Sequence, residues 1–527
     1  MRHALLSTAC FMFGVLGASA PASAQEFSEL GRGFTPDRAS QVDISGALRL
    51  RGELLHNLDL DHGLTPSGLP LYPVPLADPE AQLLSHSDMR LRTDVSAYAP
   101  NGTVRVNMRV DIIDNLTLGS TPLGTPISTT TQDAPSGSVF RLKRAWGEAL
   151  TPFGVIAAGR MGNTWGLGMA ANGGDCLDCD SGDAADRIAF VTSRRNHFVA
   201  VAYDIGWVGE TAPRRAGARV VDIERSDNVS TFTAAILRQR DQLALERRAA
   251  ADKVTFDYGL VYSYRRQKND VPVTYVPTTE PVDIDAQQVI ARDYRASLVD
   301  AWVRLSGPSM RIEAEAALVR AYIGEASLIP GVRFDAPLTS LQYGFALETE
   351  FGDPNSRFTA GVDMGAASGD AAYGFGAYPG AGAGVGEPGD LEGAQINPPY
   401  DTALDNFTFH PDYRVDQILF REIIGTVTDA IYLRPHMRWD VLRATPGKLT
   451  LRLAANASRS VFASSTPGGK TPLGVELDPS LDYINRDGLN IGVDYAVLFP
   501  LAGFDNVRDD LPAKPAQLAR LRLRYAF

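Results

Sequence analysis

Cysteine is scarce in this chain: three in 527 residues, one of which, Cys10, sits in the N-terminal apolar stretch. The two that remain beyond it are too few for a disulfide scaffold. Positive charge is also short. The formal net charge is −12 for the whole chain, and −13 once Arg2 is set aside, with no basic tract. That balance argues against a nucleic-acid partner. Beyond the N terminus there is no run of 18 apolar residues, so no helix is expected to cross a membrane. Catalytic signatures are missing as well. His56, His62, His86, His197, His410 and His436 have no metal-ligand spacing, and there is no GxSxG elbow or phosphate-cradling glycine loop. The chain is therefore read as a non-enzyme without a resident cofactor, with one calcium reading considered below.

Residues 1–24 have the make-up of a secretory signal. Arg2 supplies the positive start, Ala4 to Ala18 the apolar stretch, and Ala22-Ser23-Ala24 the small residues at the cleavage positions. Cleavage there leaves 25–527 as one domain beginning at Gln25. The residues before the first strand hold no energy-coupling segment and no plug domain. A long exported chain without a spanning helix is either a large soluble all-β protein or an outer-membrane barrel, and periodicity has to decide.

Period-two alternation runs through segments of strand length. Met89, Leu91, Thr93, Val95 and Ala97 share one face, against Arg90, Arg92, Asp94, Ser96 and Tyr98. Val104, Val106, Met108, Val110 and Ile112 oppose Arg105, Asn107, Arg109 and Asp111. Phe256, Tyr258, Leu260, Tyr262 and Tyr264 oppose Asp257, Ser263 and Arg265; at the end Leu521, Leu523, Tyr525 and Phe527 oppose Arg520, Arg522 and Arg524. A soluble sandwich also alternates. Connections that alternate short and long, with an amphipathic last strand ending in Phe, point instead to short periplasmic turns and long extracellular loops.

Eighteen strands are predicted at 43–57, 87–99, 103–115, 138–150, 154–163, 185–192, 196–209, 229–240, 253–267, 291–306, 309–323, 337–351, 356–368, 427–443, 448–462, 473–484, 489–499 and 516–527. Tight turns such as Pro100-Asn101-Gly102 and Asn485-Arg486-Asp487-Gly488 join alternate pairs. The charged connection 241–252 reads as a helical turn. Two places resist the pattern. In 138–150, Arg144 and Glu148 share a phase with Phe140, Leu142 and Trp146. Residues 415–425 fit a strand, a helix in a loop, or the start of the fourteenth strand, so sixteen strands is the alternative count.

The tail LGVELDPSLDYINRDGLNIGVDYAVLFPLAGFDN with AQLARLRLRYAF resembles the closing hairpins of alginate-export-type porins, which implies an eighteen-stranded barrel without transferring alginate as cargo. Phe527 resembles the signal by which the barrel-assembly machinery recognises such chains. Two internal stretches, WGLGMAANGGDCLDCDSGDAADRIAF and FHPDYRVDQILFREIIGTVTDA, look like an uncharacterised family of myxobacterial outer-membrane proteins, which brings no substrate.

The fold expected is thus an all-β transmembrane antiparallel barrel in the outer membrane of a Gram-negative bacterium, in contact with its lipid. Closure of the last strand on the first would bring Arg49, Arg51, Arg90, Arg92, Arg105, Arg109, Arg520, Arg522 and Arg524 into the lumen, facing Glu313, Glu315, Glu348 and Glu350 across it. Such walls either set a selectivity field or are paired with neighbours such as Glu53, Asp94 and Asp111. Cys176 and Cys179, in an exported loop, suggest a disulfide. Asp178, Asp180 and Asp183 have carboxylate spacing suited to Ca²⁺ in an extracellular loop, though without the distal Glu of a complete calcium loop. The two readings can coexist. The long connection 369–426 either folds inward to narrow the pore or shields the surface. The function expected is diffusion of small hydrophilic solutes, with anions favoured; an outer-membrane lipid hydrolase and a surface adhesion or anchoring barrel are the alternatives.

Overall fold

A computed structural model of the chain describes residues 26–31, 34, 41–119, 140–207, 209, 225–271, 289–328, 332–334, 336–353, 355–378, 384–444 and 447–527. The signal segment 1–24 lies outside them. Eighteen strands form one sheet: β1 Val42–His56, β2 Leu83–Tyr98, β3 Val104–Thr117, β4 Arg141–Thr151, β5 Gly154–Gly162, β6 Ala184–Arg194, β7 His197–Gly206, β8 Val229–Arg238, β9 Thr255–Gln267, β10 Tyr294–Ser306, β11 Met310–Ile323, β12 Leu338–Phe351, β13 Phe358–Ala367, β14 Ala430–Arg443, β15 Gly447–Ser460, β16 Pro472–Asn485, β17 Leu489–Pro500 and β18 Ala516–Ala526. Each pairs antiparallel with its sequence neighbours, and β18 closes on β1 with Arg49 opposite Arg524 and Arg51 opposite Arg522. The largest displacement from the expected boundaries is the start of β2, at residue 83 rather than 87. Two α-helices are described, α1 Glu26–Glu29 and α2 Gln242–Ala249, the latter forming the helical turn expected between β8 and β9. Residues 419–423 form a π-helical turn inside the long connection, not a strand.

Local chemistry accounts for the closure. Phe527 and Gly46 exchange two backbone hydrogen bonds of 3.0 Å, and a Cβ at Gly46 would lie 2.6 Å from the Phe527 ring. The β6–β7 hairpin turns on Arg195 and Asn196, both at positive φ, as a tight two-residue hairpin requires. The awkward phase of β4 comes from a bulge. Arg109 faces Arg144 but Val110 faces Leu142, leaving Lys143 as the extra residue. Leu142 is therefore exposed on the outside, whereas Arg144 and Glu148 are buried on the inside.

The outer face decides the environment. Met108, Val201, Leu260, Val299, Leu318 and Leu521 are exposed along mid-strand positions. Exposed aromatics gather at both strand ends: Phe256, Phe351, Phe358, Trp439 and Tyr525 on the short-turn side, and Tyr203, Trp207, Tyr322 and Phe499 on the loop side. An apolar belt between two aromatic girdles on a closed barrel is the surface that bilayer lipid covers. The chain is an outer-membrane β-barrel. Replacing Val299 by Arg at mid-belt should therefore destabilise the barrel by about 2–4 kcal/mol, measured by denaturant unfolding in lipid vesicles.

Candidate functional site

Two long loops on the extracellular side turn into the lumen. The first is the tongue 163–183 between β5 and β6. Its entry turn rests on Glu315 of β11, whose carboxylate accepts hydrogen bonds from the backbone N–H groups of Leu167, Met169 and Ala170. Gly166, at φ +58°, passes so close that a Cβ would lie 2.4 Å from that carboxylate. The neck is pinched where a Cβ at Gly174 would meet the Ser181 carbonyl oxygen and one at Gly182 the Gly173 carbonyl oxygen, each at 2.4 Å. Past the neck, Cys176 and Cys179 are joined by a disulfide.

The second is the stretch 407–427 of the long connection before β14. Ile418, Leu419, Phe420, Ile423, Ile424 and Val427 pack with Phe407 and Phe409 against the lumen-side Ala346, Tyr432, Leu473, Leu498 and Leu518. The inward alternative for this connection is therefore the one adopted. Glu476 of β16 accepts hydrogen bonds from the N–H groups of Gln417 and Ile418 at 2.8 Å and of Leu419 at 2.9 Å, satisfying the start of the π-turn. Asp416 accepts from Phe420 N at 2.9 Å and from Asn456 Nδ2 at 2.9 Å; burial, then the neighbouring Glu476, pushes its carboxyl well above the ordinary range.

The loops meet at Asp178 and Asp180. Asp178 accepts from Arg414 and Arg421 of the second loop, both at 2.8 Å, and from Arg51 of the wall at 3.1 Å. Asp180 accepts from Arg414 at 2.7 Å, Arg49 at 2.8 Å and Arg51 at 2.9 Å. Asp412 closes the lattice by accepting from the N–H groups of Asp180 and Ser181 at 2.9 and 3.1 Å. Burial opposes ionisation of Asp178, yet Arg421, Arg414, Arg520 and Arg51 hold its carboxyl well below the ordinary range. Burial likewise opposes ionisation of Asp180, which Arg414, Arg51 and Arg49 keep low.

This arrangement corrects the calcium expectation. Asp178 and Asp180 point at four guanidiniums, which repel a divalent cation, while Asp183 turns away to accept from Asn172 N at 3.3 Å. Among the described residues no group of three or more His, Cys, Asp or Glu side chains is placed to hold a metal ion.

Pairing with neighbours is the reading of the charged walls that fits most of the contacts. Of the nine arginines, Arg49 and Arg51 share Asp88 and the tongue; Arg92 grips Asp111 at 2.7 and 2.9 Å; Arg105 meets Glu148. Arg109 bonds Asp94 at 2.6 Å and also Asp175; Arg520 bonds Glu53; Arg522 bonds Asp494 at 2.6 and 2.7 Å. Arg90 gives its hydrogen bond to the Cys179 carbonyl. On the opposite side Glu313 accepts from Trp302 Nε1 at 2.8 Å, Glu348 from the Tyr413 hydroxyl at 3.3 Å, and Glu350 from Thr359 at 2.8 Å. Glu315 is spent on the tongue. Among the described residues only Arg90 and Arg524 of the nine lack a carboxylate within ion-pair distance.

An open cavity lies beneath the second loop. It has a volume of about 230 Å³ and is lined by Gln417 above and by Glu350, Arg434, His436, Arg438, Arg452, Asp478, Ser480 and Asp494 on β12 and β14–β17. The sequence reading missed Arg421, Asp412, Asp416 and Glu476. A usable signal was present, since the tongue is acid-rich and residues 414–421 carry two arginines.

No protein-family model matches the chain, and no curated protein matches it. Among solved structures it is similar to Pseudomonas aeruginosa OccK11 (OpdR), at 11% identity over 92% of this chain and 96% of that one with a TM-score of 0.44. It is also similar to Acinetobacter baumannii OccAB2, at 12% identity over 92% and 98% with a TM-score of 0.43.

Because the folded-state pKa values of Asp178 and Asp180 lie below the unfolded value of about 3.9, their contribution is complete above that pH and is lost only as pH falls through the depressed values. Hydrogen-exchange protection of residues 173–182, corrected for intrinsic rates, should therefore stay level from pH 8 to about 5. In Arg414→Gln/Arg421→Gln it should already be reduced at pH 7.

Proposed function

We propose that this barrel is a narrow channel for small hydrophilic solutes with a mild preference for anions. The observation that carries the proposal is the polar cavity under the second loop: its lining mixes Arg434, His436, Arg438 and Arg452 with Glu350, Asp478 and Asp494, a surface suited to water and solute rather than to lipid. The two loops leave less than the full bore of an eighteen-stranded barrel, so solutes have to thread past them. Paired arginines contribute little net field. Of the nine arginines, Arg524, near the periplasmic end of β18, is partly exposed and has no carboxylate within ion-pair distance among the described residues, and its guanidinium stays charged at any physiological pH.

The test is bilayer recording in asymmetric KCl. At about 0.1 M salt the Debye length is roughly 10 Å, so the preference should be clear there and fade at higher salt. Arg524→Gln should move the reversal potential toward cations with conductance of the same order. The pair-removing variant Arg92→Gln/Asp111→Asn, which deletes equal and opposite charges, should leave the reversal potential where it was. An unmoved potential in Arg524→Gln would sink the anion preference and leave the channel reading standing.

A further inference from the structure

A charged, hydrated lumen has no use for an apolar strip, yet this one has it. Val155 and Ala157 of β5, Ala189 and Val191 of β6, and Ala200 and Ala202 of β7 all face inward and are buried. The chain's own N-terminal segment packs on them, beside Met161 and Trp165 of the same cluster. Phe27 of α1 and Leu30 just after it, three residues apart, insert into the strip, and Ser28 is 1% exposed beside them. The sequence predicts no plug domain before the first strand, and what the N terminus places on the strip is only this short segment.

The segment is held by specific contacts as well as by its apolar side. Ser28 Oγ donates to Gln239 Oε1 at 2.8 Å, at the periplasmic end of β8. The Gly31 N–H donates to Glu148 Oε2 at 2.8 Å, near the periplasmic end of β4. The Arg187 guanidinium lies 5.5 Å from the centroid of the Phe27 ring, and Arg105 lies 5.7 Å from that of Phe34. Gly31 adopts φ +84°, and a Cβ there would approach Val155 Cγ2 to 2.7 Å, so the chain leaves the strip only through a glycine. These contacts run along β3 to β8, on the side of the lumen away from the open cavity of β12 and β14–β17.

We propose that the strip is a binding site for an amphipathic helical turn with apolar anchors at i and i+3, filled by residues 26–31 of the same chain, which thereby act as a tethered plug of the periplasmic mouth. Recognition is of the helix-in-groove kind, with Phe27 and Leu30 as anchors and Arg187 over the ring. Tethering makes the site self-occupied at any protein concentration. The inference rests on the channel reading, because a plug has meaning only where there is flow.

The experiment compares the parent with Phe27→Asp/Leu30→Asp, purified in detergent, checked for folding by heat-modifiable gel mobility and recorded in planar bilayers. With the segment expelled, conductance should roughly double, since a second lane of similar width then conducts in parallel. A synthetic peptide of residues 25–34 (QEFSELGRGF) added to the periplasmic side should return the variant to the parent level, and the same peptide on the other side should do nothing. Gly31→Val, which keeps both anchors but blocks their seating, provides a second variant with the same expected readout. Folded variants that keep the parent conductance and ignore the peptide would overturn the plug while leaving the channel intact. Absence of current from parent, variants and peptide-treated protein alike would overturn the channel reading, and the plug with it.

Discussion

The interior is organised around one buried carboxylate. Asp178, carried on a disulfide-closed tip, is shared by Arg51 of the barrel wall and by Arg414 and Arg421 of the second loop, while Asp180 beside it repeats the pattern with Arg49, Arg51 and Arg414. Remove that pair and the two loops lose the charges that join them to each other, leaving the tongue on Glu315 and on Arg109 with Asp175, and the second loop on Glu476. The wall would also be left with adjacent guanidiniums, since Arg524, Arg49 and Arg90 face one another across β18, β1 and β2. Like charges in direct cross-strand register repel. The tongue therefore neutralises a wall that is otherwise self-repelling, and the wall fixes the depth to which the tongue descends.

Ion pairs of this kind are poor candidates for net stability, because desolvating several charges costs about as much as their attraction returns. Their value is positional. A guanidinium buried without its acid is strongly unfavourable, so alternative loop placements that break the set are penalised even if the native one gains little. The apolar contacts of Phe409, Ile418, Leu419 and Phe420 with the wall supply the favourable term that the ion pairs need not. Burial drives the loop inward, and the charges choose where it stops.

Strand positions were legible because a barrel in lipid imposes a strict two-sided alternation, which the outer apolar belt cannot violate. Even the exception in β4 is physical: a bulge at Lys143 inverts the phase, and single-sequence alternation cannot place an inserted residue. The lumen was legible only in part. Arg92 with Asp111 and Arg109 with Asp94 lie at equal distances from the tight turn between β2 and β3, so hairpin register alone announces those pairs. Arg144 with Asp175, or Arg421 with Asp178, join segments that no local rule relates. The two stretches that stood out in the sequence by their resemblance, around the CxxC and around His410-Pro411-Asp412-Tyr413-Arg414, prove to be the two that touch each other. A distinctive loop sequence in a barrel is a hint of an interior partner rather than of a surface role.

The lumen is also divided lengthwise in a way that follows from residue size. Along β5 to β8 the inward positions are repeatedly alanine, with Ala157, Ala189, Ala200, Ala202 and Ala235 leaving room beside the wall. Along β14 to β18, below the apolar patch on which the second loop rests, they are long and charged, with Arg434, Arg438, Arg452, Arg520 and Arg522 filling their own space. Small apolar side chains cannot hold ordered water by hydrogen bonding, so that half of the bore has to be occupied by something apolar. The long polar side chains of the other half keep water in place by design of their hydrogen-bonding capacity. A barrel with uniform walls would present one wide pore. One that is alanine-lined on one side and arginine-lined on the other confines its aqueous path to the charged side as long as the apolar side stays filled.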